Sequence, residues 1–429
     1  MARITWKREG DDYLFDLHND VSVSVMRLAE ESSGLYGELT IKANGAVNGG
    51  LIHSARINLM ASQTRHGIVK ACAKRYPAMV DTEWQDAIEH VCFITKEKYR
   101  EGAPLINLKT VAPRERTRWL LEPFIEDNAV TVIFGDGESG KTGLALAMVA
   151  TIATGRNVVG RLHGPPRPVM VLDWEDDECG HAERVRAICS AVDMEVPDVY
   201  YRPMVGSLYQ SAAAVRRDID RHKIGLVMID SAGLAKGGEP ESADASLRLF
   251  AAARSLRVPV LMVDHVSIAG MTGDKKRPYG SVYTRNSARV TWYVEKAQTD
   301  EPCVVDVGLT HTKGNHGVRL KPLAYRMRYL NDENHNPVAI YLNAIEPLSV
   351  PEFAESKSMP ERIMYELEQR NGAKLTNKEL AEYLGVDVEK VKPASSRLAH
   401  KGVIIGFPRL TGQGKGEYEY GLAYRGASG

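Results

Sequence analysis

Residues 135–142 read GDGESGKT, a glycine, four variable residues, then Gly-Lys and a threonine. This is the spacing of a phosphate-binding loop. Its glycines let backbone N–H groups turn inward around a phosphate, and a helix beginning at its end adds partial positive charge. Gly135, Gly137, Glu138, Ser139, Gly140 and Gly143 are the expected nucleotide-binding positions, together with Lys141 and Thr142. Lys141 has the length and charge to reach β- and γ-phosphates, and the Thr142 hydroxyl suits Mg²⁺. The chemistry implied is the binding of a nucleoside triphosphate.

Two further carboxylates stand where such a site needs them. IGLVMIDS (224–231) is an apolar run ending in Asp230, the position of a carboxylate that holds a Mg²⁺ shell. PVMVLDWEDD (168–177) is a second such run with an acidic end. Hydrolysis needs a group that polarises water, and a carboxylate at a strand end beside the loop supplies one. Glu175 is the first choice, with Asp173 and Asp176 behind it, while Asp176, Asp177 and Glu178 also suit the cap of a helix over 178–192. The loop alone does not separate an ATPase from a GTPase or a kinase.

The elements that must position these groups are legible. NAVTVIF (128–134) is apolar and β-branched, as a buried parallel strand should be, and GLALAMVATIAT (143–154) is made of good helix formers. Strands are expected at 129–134, 168–173, 198–203, 224–230, 258–264 and 290–295, alternating with helices. β-rich sequence continues at 303–311, 319–330 and 337–343. The alternation implies an α/β fold with a parallel sheet over 119–347. Residues 1–105 read as a small α+β domain of unknown role. Its strands lie near 13–17, 21–26, 35–43 and 51–59, and its helices near 61–76 and 82–100, the second capped by Asp81 or Thr82. Residues 106–118 and 348–360 read as linkers.

From residue 360 the pattern is helix, then helix-turn-helix over 375–400, then strand. It matches a winged helix-turn-helix over 356–429, with Gly385 at the turn and a wing at about 403–422. From Lys390 onward seven basic residues face only Glu417 and Glu419. Lys390, Lys392 and Arg397 are the DNA-contact candidates, and protein docking is the other use of such a module. Pro393 is expected to kink or restart the second helix.

The order of GDGESGKT, LDWEDD, VMIDSAG and LMVDHVS resembles RecA-type ATPases, most closely the RepA-like hexameric helicases of plasmids and phages. The resemblance covers roughly 119–330. It implies ATP with Mg²⁺, Glu175 as catalytic glutamate, Asp230 as the metal carboxylate and His265 as the sensor linking γ-phosphate to DNA loops. RPYGSVYTRNSARVTWYVEK (277–296) and THTKGNHG (310–317) are similar to family segments near which a basic side chain reaches the neighbouring subunit's nucleotide. Lys313 is the first such candidate and Arg289 the second. It further implies a ring-shaped homo-oligomer and channel loops at about 233–244 and 266–281. The latter holds Lys275, Lys276 and Arg277, suited to the backbone of single-stranded DNA.

The bulk composition agrees with a local rather than a global interaction surface. Lys plus Arg and Asp plus Glu number 55 each, so no net field draws the chain to nucleic acid or membrane. Five scattered cysteines without a C-x-x-C pair speak for reduced thiols and against a zinc module. His18, His53, His66 and His90 lack metal-ligand spacing. With a polar start and no long apolar run, the chain is expected to be cytoplasmic and away from membranes. The function expected is an ATP-hydrolysing motor on DNA, a helicase or a remodelling enzyme. The alternative is an ATP-switched regulator or replication-initiation factor that binds DNA without translocating, and a small-molecule kinase is a third, weaker reading.

Overall fold

The computed structural model describes residues 4–9, 11–44, 50–102, 105–113, 118–239, 242–266, 282–314, 320–355, 357–370, 373–409 and 417–423. By compactness the chain divides into two units. One comprises Met1–Arg116 with Ala213–Arg217, the other Thr117–Ala212 with Asp218–Gly429.

The first unit carries an antiparallel sheet of β1 (Thr5–Glu9), β2 (Asp12–Asp16), β3 (Val21–Glu31), β4 (Gly34–Ala43) and β5 (Leu51–Asn58), in sequential order. Helices α1 (Ser62–Arg75) and α2 (Asp81–Glu101) follow. Period-2 alternation places Val21, Val23 and Val25 in one core with Leu39, Ile41, Trp84, Ile88 and Val91. The cap of α2 is Val80, whose N–H donates to the Glu83 carboxylate at 2.9 Å, so Asp81 and Thr82 lie inside the helix instead of capping it.

The second unit begins with β6 (Trp119–Glu122), β7 (Ile125–Glu126) and β8 (Val130–Gly135), then α3 (Lys141–Thr154) and β9 (Arg161–Leu162). Next come β10 (Val169–Asp173), α4 (Glu178–Ser190), β11 (Val199–Pro203) and α5 (Leu208–His222). These lead to β12 (Leu226–Asp230), α6 (Ala232–Ala235), α7 (Ala243–Ser255), β13 (Val260–His265) and α8 (Val282–Ser287). Four longer strands close the run: β14 (Val290–Gln298), β15 (Val304–Gly314), β16 (Leu323–Asn331) and β17 (Pro337–Ile345).

The main sheet has nine strands in the order β11-β10-β12-β13-β8-β14-β15-β16-β17. Six are mutually parallel, from β11 to β14, and β15 to β17 continue antiparallel. A parallel sheet covered on both faces needs continuous apolar strands, and β8, β10 and β12 are buried along their whole length. Helix α3 is buried without a break from Leu144 to Ile152, because core surrounds it. The architecture is mixed α/β with a large, mostly parallel sheet, as expected over 119–347.

The chain ends in α9 (Pro351–Glu355), α10 (Met359–Gln369), β18 (Leu375–Thr376), α11 (Asn377–Tyr383), α12 (Val388–His400), β19 (Ile404–Arg409) and β20 (Glu417–Leu422). Ile363, Leu367, Leu380, Val391, Ala394, Leu398, Ile404 and Tyr420 form a separate small core. The three strands pair as β18-β20-β19. Helix α12 runs through Pro393 without restarting. The proline removes only the N–H that would meet the Glu389 carbonyl, and both residues are exposed. No described helix is long and apolar enough to cross a membrane.

Candidate functional site

Parallel register brings the chemistry together. Gly135 pairs with His265, and Asp173 with Asp230, so the ends of β8, β13, β12 and β10 form one rim. A carbon added at Gly135 would collide with the carbonyl of Val294 on β14, which accounts for the first glycine of the loop. Gly140 caps α3 at φ +84°, a left-handed conformation that favours glycine. Gly137 has open space around it, whereas Gly143 lies against Met327. Glu138 also has positive φ, and Ser139 is buried.

Lys141 is 6 % exposed. Its Nζ donates to the Asp136 carbonyl at 2.6 Å and reaches Ser139 Oγ at 3.4 Å. Burial lowers its pKa, against the pull of Asp230, Asp136 and Glu175. A buried cation inside a Gly-rich curl is suited to a phosphate. Thr142 Oγ1 donates to Asp230 Oδ2 at 2.8 Å. Burial raises Asp230, with the Thr142 hydrogen bond opposing. These two hard oxygens at one point fit a hard cation such as Mg²⁺. Among the described residues no three His, Cys, Asp or Glu side chains converge on a metal.

Glu175 sits beyond the end of β10. Its Oε1 accepts a hydrogen bond from the Ser231 hydroxyl. His265 Nε2 stands 3.8 Å from the same oxygen, an ion-pair distance and too long for a hydrogen bond. The His265 contact first, and the Ser231 hydroxyl after burial's opposing effect, hold Glu175 below its usual value. Glu175 in return raises His265. The charged forms of the two therefore support one another.

The neighbouring acids are otherwise engaged. Asp173 is buried and accepts the N–H of Glu175 (3.2 Å), the N–H of Asp176 (3.0 Å) and the Tyr201 hydroxyl (2.9 Å). It shapes the acidic turn. Asp176 pairs with Arg184 at 2.7 Å. Asp177 alone supplies the side-chain cap of α4, accepting from Gly180 N at 2.8 Å.

Lys313 Nζ donates to the carbonyls of Arg285 (3.0 Å), Asn286 (2.7 Å) and Ala288 (2.6 Å). All three ammonium donors are thus used at the end of α8. Arg289 is exposed, and its backbone N–H donates to Val130 at 2.9 Å. Lys275, Lys276 and Arg277 lie outside the described residues. Lys390, Lys392 and Arg397 are on the exposed side of α12, Lys392 paired with Glu389 at 2.6 Å and Arg397 Nε with the Pro393 carbonyl at 3.1 Å.

Sequence reasoning missed Ser231, Asp264 and Lys236. Asp264 is fully buried next to His265, and its Oδ1 accepts the His265 N–H at 2.9 Å. Its Oδ2 has no hydrogen-bond partner among the described residues. Burial pushes its pKa up to about 6, with Lys236 opposing. Lys236 is itself buried, and burial lowers its pKa. An Asp closing the apolar run VPVLMV, just before His265, was the available signal.

Residues 100–271 match the sequence profile of a family described as an AAA domain. The match covers the phosphate loop and the strands that end in Asp173, Asp230 and His265, as a P-loop nucleotide-binding core requires. No curated protein matches the chain. Among solved structures, a KaiC-like protein from the hyperthermophilic archaeon Pyrococcus horikoshii OT3 is 13% identical. That likeness covers 52% of this chain and 93% of that chain, with a TM-score of 0.37, too low to bear on function.

Proposed function

We propose that the chain is an ATP-hydrolysing motor acting on DNA, a replicative-type helicase or a DNA-remodelling ATPase. The observation that carries the reading is the convergence of Lys141, the Thr142–Asp230 pair and the Glu175–His265 pair on one rim of parallel strand ends. Lys141 holds the phosphates in the loop and neutralises charge as it builds on the γ-phosphoryl group. Thr142 Oγ1 and Asp230 Oδ2 are the oxygens that would hold Mg²⁺, which when bound offsets phosphate charge. Glu175 takes a proton from water as its oxygen bonds to the γ-phosphorus, and the bridging oxygen leaves with ADP. His265, touching Glu175, is placed to report that event to the loop that follows β13.

Arg289 and Lys313 lie at the opposite end of β14 from the phosphate loop. Val290 pairs with Thr131 and Val294 with Gly135, and Lys313 pairs with Thr291. At about 3.3 Å per residue neither reaches the loop of its own chain. This supports a role in a neighbour's site and hence a ring-shaped homo-oligomer. Because Lys313 is occupied by three carbonyls, Arg289 becomes the better candidate.

The C-terminal helices and three-stranded sheet support a winged helix-turn-helix that contacts duplex DNA through Lys390, Lys392 and Arg397. The pairing of Lys392 with Glu389 draws one cation away from such a contact and leaves protein docking as the module's other use. The second reading of the whole chain is an ATP-switched regulator that binds DNA without translocating. The test is ATPase rate with and without single-stranded DNA, beside strand displacement on a forked duplex. A motor shows both stimulation and unwinding, a regulator no unwinding. Glu175→Gln should still bind ATP while hydrolysis falls about 10²–10⁴-fold. Turnover near the wild-type rate would remove Glu175 from its role.

A further inference from the structure

Ser231 follows the strand-end Asp230 and occupies the N-cap of α6. A serine there ordinarily accepts an N–H from the first turn of its helix. In this chain the side chain makes no such cap. The hydroxyl donates instead to Glu175 Oε1, 56 residues away. Ser231 is 1 % exposed, so bulk water does not compete for that hydrogen bond.

We propose that Ser231 is the positioning residue for Glu175, holding Oε1 so that Oε2 is the oxygen presented to the attacking water. The inference rests on the reading of Glu175 as water activator. Backbone geometry supports it. Asp173 and Asp230 are register partners on adjacent strands, and Trp174 N–H donates to the Asp230 carbonyl at 2.8 Å, extending the ladder past the strand end. Glu175 and Ser231 therefore emerge side by side from paired strands. Asp173 fixes the turn from below through the N–H groups of Glu175 and Asp176. Ser231 and His265 both address Oε1. Among the described residues the second oxygen has no such partner, which leaves it for the substrate.

Ser231→Ala and Ser231→Cys test this, with ATP affinity measured by calorimetry and hydrolysis by single turnover. Ser231→Ala should keep its ATP Kd within about twofold while hydrolysis falls about 10- to 100-fold, the cost of a misplaced catalytic group. Ser231→Cys, of similar size but a weak donor, should fall between. In a Glu175→Gln background, Ser231→Ala should cause no further loss, since Ser231 acts only through Glu175. Single-turnover hydrolysis by Ser231→Ala at the wild-type rate overturns the proposal, as does a full additional loss in the Glu175→Gln background. Loss of ATP affinity in step with rate also overturns it, by making Ser231 a binding residue. Should Ser231→Ala fail to fold, Ser231→Cys carries the same criteria. If Glu175→Gln itself turns over normally, the failure belongs to the Glu175 assignment and not to Ser231 alone.

Discussion

The rim of the parallel strands and the exposed side of α12 both carry charged residues, held in different ways. On the rim the partners are distant in sequence and, Glu175 apart, partly or wholly buried: Thr142 with Asp230, Glu175 with Ser231 and His265. On α12 they are three or four residues apart and exposed: Lys392 with Glu389, Arg397 with the Pro393 carbonyl. Exposed contacts at helical spacing contribute little, and the ion pair among them is screened by salt. Buried partners leave an unsatisfied group behind when one is removed. Substitution on the rim should therefore be close to all-or-none, and substitution on α12 graded.

The largest effect should come from Arg289. Arg289→Ala should reduce hydrolysis by about 10³-fold or more, as expected for a charge-stabilising finger. Mixing it with Glu175→Gln subunits should restore part of the activity, because a mixed interface combines one subunit's Glu175 with the other's Arg289. Lys313→Ala should instead lower the melting temperature, by uncapping the carbonyls at the end of α8. Complementation by Lys313→Ala in place of Arg289→Ala would reverse the two roles.

A smaller effect is expected on α12. Replacing Lys390, Lys392 and Arg397 with glutamine should reduce the slope of log duplex affinity against log salt by up to about 2.7 units. Basal ATPase should be unchanged. If basal turnover collapses as well, the two regions are not independent and the contrast between them fails.

The smallest effect concerns Asp264. Its pKa is raised from 3.8 to about 6. For a carboxyl raised in the folded state, the unfolded chain ionises first. Its contribution to stability is greatest below pH 3.8 and declines as pH rises to about 6. Asp264→Asn removes that decline. The melting temperature of Asp264→Asn minus that of wild type should rise between pH 4 and 6 and level off above. A flat difference would mean that Asp264 is ordinarily ionised, its charge carried by Lys236.

The sequence announces the main sheet because buried parallel strands are apolar throughout. The run ending in Asp230 was expected over 224–230 and forms 226–230, and that ending in His265 was expected over 258–264 and forms 260–265. It conceals β1, which is exposed at every residue and has no apolar face to betray it. The two-residue strands β7 and β9 are too short to show a period. Within the site, the loop is legible because its residues are contiguous. The Ser231–Glu175 contact and the carbonyls around Lys313 are not, since strand register and the return of α8 create them. Pro393 shows the limit of a local rule: a proline in the second turn of an exposed helix costs one hydrogen bond and leaves the helix intact.

Strand β8 has Gly135 at one end and, hydrogen-bonded through Val130 at the other, the backbone of Arg289. It lies between β13 and β14 within the sheet and is buried along its six residues. A shift of the phosphate loop along the strand axis would displace the backbone carrying the guanidinium by the same amount. If the proposed ring forms, the strand would act as a pushrod: the occupant of one site would set the stroke delivered to the next, and timing around the ring would be written into six consecutive residues.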